Sequence, residues 1–201
     1  MEGIIFYWFM WLGWVVVTFI MRKNKSRVKL AFFLLVTILI SKVFLVVSTF
    51  YINCSLIMFL LLGYYLAVKN KRKLVTFYLT NLTLTFAYAG IMLFHIYDPV
   101  WFIFDYRIIV SLIVSLLAIY LGKDPSQRFT FYLISVSQGE FLYWLIMSKF
   151  HDQLTFGTAA FLDMIVIGCA MIYLWTILQQ FTLLVEQSLH RFQKQTKEKQ
   201  G

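Results

Sequence analysis

Residues 4–29 read IIFYWFMWLGWVVVTFIMRKNKSRVK. Ile4 to Met21 carries no charged side chain and is close to the roughly 20 apolar residues that a helix needs to cross a hydrocarbon core. Arg22, Lys23, Lys25, Arg27 and Lys29 follow at once, the flank that keeps a membrane helix end on the cytoplasmic side. An apolar run followed by a basic gap is therefore the unit from which the rest of the chain is read.

The unit recurs. A second span is expected from Leu30 to about Ser48, interrupted by Lys42, and a short turn around Tyr51 to Asn53 leads to a third ending near Val68. The basic gap Lys69–Lys73 precedes a fourth span, Leu74 to about Phe94. Asp98-Pro99 reads as an N-cap followed by proline at the first helical position, opening a fifth span near Val100 that holds Asp105 and Arg107 in its first turns. Gly122 is placed to stop it. Asp124-Pro125-Ser126-Gln127 repeats the signal for a sixth span, with Glu140 inside it. The seventh is expected from Phe156 to Val185, longer than one crossing needs.

Lys and Arg occupy alternate gaps. Those after spans one, three and five, with the tail, hold fifteen, against Lys149 alone on the other side. The positive-inside rule then puts the N-terminus outside and the C-terminus inside. The expected fold is an all-α polytopic bundle of seven transmembrane helices, residues 1–185, with a basic cytoplasmic tail, 186–201. The chain is 61% hydrophobic and only 13% charged, about half the charge of a soluble domain, which excludes a soluble fold. The net charge of +9 is accounted for by topology and by anionic lipid head groups at the cytoplasmic loops, so no nucleic-acid partner is expected.

Motifs for chemistry are missing. The sequence contains no phosphate loop, dinucleotide fingerprint, zinc-protease helix or nucleophile elbow. The seventh span has no lysine for a retinal Schiff base. Cys54 and Cys169 have no metal spacing, and His95 with Asp98, and His151 with Asp152, read as interface polar residues rather than a metal site. No enzyme activity, cofactor or metal is expected.

Buried charges are the informative residues, because ionisable groups inside spans are expensive and mark pairs or pathways. At about 1.5 Å per residue, Lys42 lies about 18 Å, Glu140 about 16 Å and Asp163 about 20 Å from the inner edge. Lys42 is therefore expected to pair with Glu140, Asp163 or both. Asn81 belongs to a polar stripe on the fourth span with Tyr78, Thr85, Tyr88 and His95. Ser111, Ser115, Ala118 and Gly122 form a small-residue packing seam on the fifth. Lys42, Asn81, Glu140 and Asp163 are the candidate buried network. A sealed cluster would point to a membrane component acting through lipid and protein contacts. A wet cavity at Glu140 would point to a small proton-coupled transporter or solute translocator.

The aromatic opening MEGIIFYWFMWLGWVVVTFIM, the basic loop after it and the overall length resemble the YphA family, small multi-pass membrane proteins of Bacillus and relatives. The resemblance implies a bacterial cytoplasmic-membrane protein of uncharacterised function. It carries over no site residues.

Overall fold

The computed structural model describes residues 2–47, 50–69, 74–150 and 154–198. Among them the helices are α1 (Ile4–Val15), α2 (Lys25–Ile40), α3 (Cys54–Lys69), α4 (Leu74–Tyr97), α5 (Tyr106–Leu121), α6 (Pro125–Met147) and α7 (Ala159–Glu198). A π-helical segment, Val16–Ile20, continues α1. Three short strands join them: β1 (Phe44–Val47), β2 (Phe50–Asn53) and β3 (Leu154–Phe156). His151, Asp152, most of the second basic gap and the end of the tail lie outside the described residues.

The strands correct the expected second span and the purely helical fold. The helix stops at Ile40, and Phe44–Val47 pairs antiparallel with Phe50–Asn53, Phe44 opposite Asn53 and Val47 opposite Phe50. A short apolar run of aromatic and β-branched residues fits strand as well as helix, and periodicity alone does not separate them. Asn53 fixes the choice by donating from Nδ2 to the Ser41 carbonyl at 2.8 Å, while its Oδ1 accepts from the Ser55 N–H at 2.8 Å to start α3. β3 adds parallel to β2, Phe50 opposite Leu154 and Ile52 opposite Phe156.

Other boundaries move too. Asp98-Pro99 opens only a 3₁₀ turn, Pro99–Trp101, whereas α5 begins at Tyr106 with Asp105 as its N-cap. α7 runs unbroken across the expected boundary at 185. Val75–Tyr97 and Ala159–Gln187 are long and apolar enough to cross a membrane; Ile4–Ile20, Cys54–Lys69 and Tyr106–Leu121 are apolar but shorter.

Polarity is distributed inside out. α6 packs against α3, α4, α5 and α7, and buries Arg128, Thr130, Ser135, Ser137 and Glu140. The surrounding helices present Trp8, Phe19, Phe32, Leu39, Leu79, Phe86 and Leu174 outward, Phe19 being 76% exposed. A continuous apolar exterior of this kind needs lipid or a partner to cover it. A polar helix tolerates the middle position because its neighbours shield it from lipid.

Close approach is built in with small residues. A Cβ at Gly139 of α6 would lie 2.5 Å from Cδ1 and 2.9 Å from Cβ of Tyr88 on α4. On α5, Ser111, Ser115 and Ala118 are buried, while Leu112, Leu116 and Tyr120 on the opposite face are exposed, and α5 packs against α7, α4 and α6.

Gly139→Ala is therefore expected to cost about 1–3 kcal/mol by overpacking, read as a lower unfolding midpoint in detergent. Gly90→Ala, where nothing lies within 4 Å, should cost nothing. Ser115→Leu should lower the melting temperature and Leu116→Ala should not; equal effects would mean that the small-residue face is not packed.

Candidate functional site

A helix leaves its first N–H groups without intrahelical partners, and a membrane interior offers no water to take them. At the end of the bundle that carries the strands, this need determines where the acids go. Asp163, fully buried near the start of α7, accepts from the N–H groups of Gly3 and Phe6, each at 2.8 Å. A side chain of α7 thus caps α1. Gly3 makes this possible with φ of +86°, a conformation that costs glycine little.

The same carboxylate receives Arg107 Nη1 at 2.5 Å. Arg107 is also clasped by Asp105 through its Nε at 2.9 Å and through Nη2, and Asp105 accepts from the Arg107 N–H at 3.0 Å to cap α5. The side-chain hydrogen bond from Arg107 holds the Asp105 carboxyl below its usual range. Asp105, Arg107 and Asp163 therefore tie α1, α5 and α7 together. Beside them His95 stacks on Tyr106, ring centroids 4.3 Å apart.

Glu140 forms the second buried acid centre. It accepts from Tyr88 Oη at 2.7 Å and Trp144 Nε1 at 3.1 Å, and the Gly157 and Thr158 amides at the entry to α7 lie beside it. Thr158 caps α7, its Oγ1 accepting from the Phe161 N–H at 3.4 Å. Each helix starting at this end meets an oxygen acceptor: Asp163 for α1, Asn53 for α3, Asp105 for α5, Thr158 for α7.

The expected ion pair of Lys42 is not formed. Lys42 lies beyond the end of α2, exposed, with its ammonium 5.9 Å from the centre of the Tyr7 ring. Counting along the run put it about 18 Å from the inner edge, inside a helix, whereas α2 stops at Ile40 and turns it outward. Among the described residues, ion pairs involve Arg107, with Asp105 and Asp163. Arg107 was seen in the sequence as embedded, and what hid its role was the expected start of the fifth helix near Val100.

Asn81 stands apart from both acids. Its Nδ2 donates to the Phe77 carbonyl at 3.1 Å, and its buried Oδ1 has no partner among the described residues. It lines a crevice of about 230 Å³ with Tyr64, Phe77, Tyr78, Leu82, Ile134 and Gln138. Gln138 spans α6 to α3 by donating to Tyr64 Oη at 2.6 Å. The four candidates therefore divide into a surface lysine, two separate acid centres and a side crevice. Among the described residues no group of His, Cys, Asp and Glu has the makings of a metal site.

An exterior of exposed apolar side chains around a core that also buries capped acids and other polar groups defines an integral membrane protein. The chain belongs to the YphA-like integral membrane protein family, whose model matches residues 2–201. It is similar to the uncharacterized protein YphA of Bacillus subtilis strain 168, 29% identical over 177 residues and covering 86% of each chain. No solved structure matches it.

Removing one member of a buried pair strands its partner, a loss of about 3–5 kcal/mol. Asp163→Ala should approach this and sharply lower the melting temperature in detergent. Lys42→Met should change stability by less than about 0.5 kcal/mol. Asp105→Ala should fall between them, since its carboxylate is partly solvated. Because the Asp105 pKa is lowered on folding, its contribution is complete above about pH 3.9 and is lost as pH falls through the lowered value. A loss on Lys42→Met equal to that on Asp163→Ala would contradict this assignment.

Proposed function

We propose that the protein is a seven-pass component of the bacterial plasma membrane that acts through contacts with lipid and other membrane proteins. In this reading it has no catalytic centre, and its buried charges are structural. The observation that carries the reading is the use made of the two buried acids. Asp163 is occupied by two backbone amides and Arg107. Glu140 is occupied by Tyr88 and Trp144. A translocating carboxylate needs solvent access and a second protonation state, whereas these hold helix ends together. None of the four cavities described is lined by either residue.

All seven helices are assigned to the membrane, including the less apolar α2 and α6. α6 is shielded by four neighbours, so its own hydropathy understates its place. The short helices, about 24 Å for the 16 residues of α3, are accommodated by local thinning and by snorkelling of flanking lysines. The Lys and Arg asymmetry supports an outside N-terminus and an inside C-terminus, with the strands outside. The bacterial source of the relative supports the compartment.

Two measurements test this reading. With Cys54 and Cys169 replaced, Asp98→Cys and Lys149→Cys should react with an impermeant maleimide in intact cells, and Lys25→Cys and Gln127→Cys only after lysis. Asp98→Cys and Gln127→Cys reacting from the same side would overturn the seven-pass count. Dicyclohexylcarbodiimide, which modifies accessible protonated carboxyls within membranes, should leave Glu140 and Asp163 unmodified by mass spectrometry. Labelling of Glu140 that is lost at high pH would replace the structural reading with transport.

A further inference from the structure

The opposite end of the bundle holds the largest of the described cavities, about 670 Å³, lined by Lys123, Arg128, Trp175, Leu178, Gln179, Thr182 and Leu183. It opens where the turn between α5 and α6 faces α7. Arg128, only 6% exposed, is fixed there from two sides. Its Nε donates to the Gly122 carbonyl at 3.1 Å, and its Nη1 to Gln179 Oε1 at 2.7 Å.

Both partners are neutral. Among the described residues no carboxylate pairs with Arg128 or Lys123, which is unusual for an arginine this buried. By contrast Arg107, at the other end, has two carboxylates. Asp124 flanks the cavity without lining it, and its side chain makes no cap bond to α6.

Beyond Lys123, Arg128, Gln179 and Thr182, the lining is apolar and continuous with the lipid-facing surface. Trp175, Leu178 and Leu183 on α7 are 41%, 51% and 56% exposed. A charged floor at the helix ends, with a tryptophan and leucines running from it along the membrane face, matches a phosphate head group with its acyl chains attached. A free anion would have no use for that apolar wall. Guanidinium and ammonium donors are the groups that hold phosphate oxygens. Two positive charges with no carboxylate paired to them among the described residues select a head group of net negative charge over a zwitterionic one.

We propose that this cavity is a binding site for an anionic phospholipid, with the phosphate between Arg128 and Lys123 and the acyl chains along Trp175, Leu178 and Leu183. The site deepens the contact reading above by naming one such contact. It rests on the membrane location and not on the orientation, so failure of the maleimide labelling leaves it standing.

The test uses the full chain in a mild detergent, titrated with dioctanoyl phosphatidylglycerol, dioctanoyl phosphatidylcholine or inorganic phosphate, with melting temperature as readout. Phosphatidylglycerol should raise the melting temperature saturably, and the other two should not. Lys123→Gln should weaken its apparent Kd about tenfold, the loss of one charge-assisted contact, and Arg128→Gln should abolish the response. Lys23→Gln, in a basic loop away from the cavity, should leave the Kd unchanged. Arg128 also holds the turn at Gly122, so a poorly folded Arg128→Gln leaves Lys123→Gln to decide. Equal stabilisation by phosphatidylcholine would overturn the charge selection. Equal stabilisation by phosphate alone would overturn the lipid assignment, and an unchanged Kd in Lys123→Gln would overturn the site.

Discussion

Asp163 lies where three helices would otherwise leave polar groups unpaired against hydrocarbon. Its two oxygens take the first amides of α1 and the guanidinium of Arg107, so one side chain settles the start of α1, the start of α5 and the upper part of α7. In water such groups would find solvent partners, and the arrangement would be worth little. In a membrane interior the alternative is an unsatisfied amide or a lone charge, each costing several kcal/mol. The position of α1 against α7, and of α5 against both, follows from that cost.

The same pressure explains why the least apolar of the central helices is the most buried. α6 carries Thr130, Ser135, Ser137, Gln138 and Glu140, and lipid would penalise each of them. Surrounded by α3, α4, α5 and α7, it satisfies most of them internally: Thr130 on the Ser126 carbonyl, Ser135 on Tyr132, Gln138 on Tyr64, Glu140 on Tyr88 and Trp144, while the Ser137 hydroxyl has no partner among the described residues. Glycine makes the burial tight. At Gly139 the Tyr88 ring rests against bare backbone, and at Gly168 of α7 a Cβ would lie 2.0 Å from Tyr132 Oη, whose hydroxyl donates to the Met164 carbonyl at 2.7 Å. Side-chain hydrogen bonds and small residues replace the hydrophobic drive that lipid cannot supply.

The two ends of the bundle differ in chemistry for a related reason. Helices that start at the strand end need acceptors, and the buried acids are there. The opposite end has one deeply set arginine answered, among the described residues, by neutral oxygens. At one end the acids are taken up by hydrogen bonds and one arginine, and the other keeps positive charge beside an open cavity with apolar side chains in its wall.

Length and charge in the sequence determined a great deal, because both are properties of a segment rather than of its surroundings. The apolar runs marked the helices α1 and α3 to α7 to within a few residues at most ends, and Asp124-Pro125 marked the start of α6. Counting along each run also brought Lys42, Glu140 and Asp163 to a similar depth. Depth, however, is one coordinate, and pairing needs the direction in which a side chain leaves its helix. That direction depends on which helices are neighbours and on where each helix stops. The run from Val43 to Val47 has no period to distinguish strand from helix, so only its pairing with Phe50–Asn53 ended α2 early and turned Lys42 outward. Asp105 looked like part of a first helical turn until the packing of α5 against α7 made it the cap and gave Arg107 to Asp163. Which groups must be satisfied was written in the chain; which partner satisfies each was decided by tertiary structure, since the partners of Asp163, for example, lie 56 to 160 residues away in sequence.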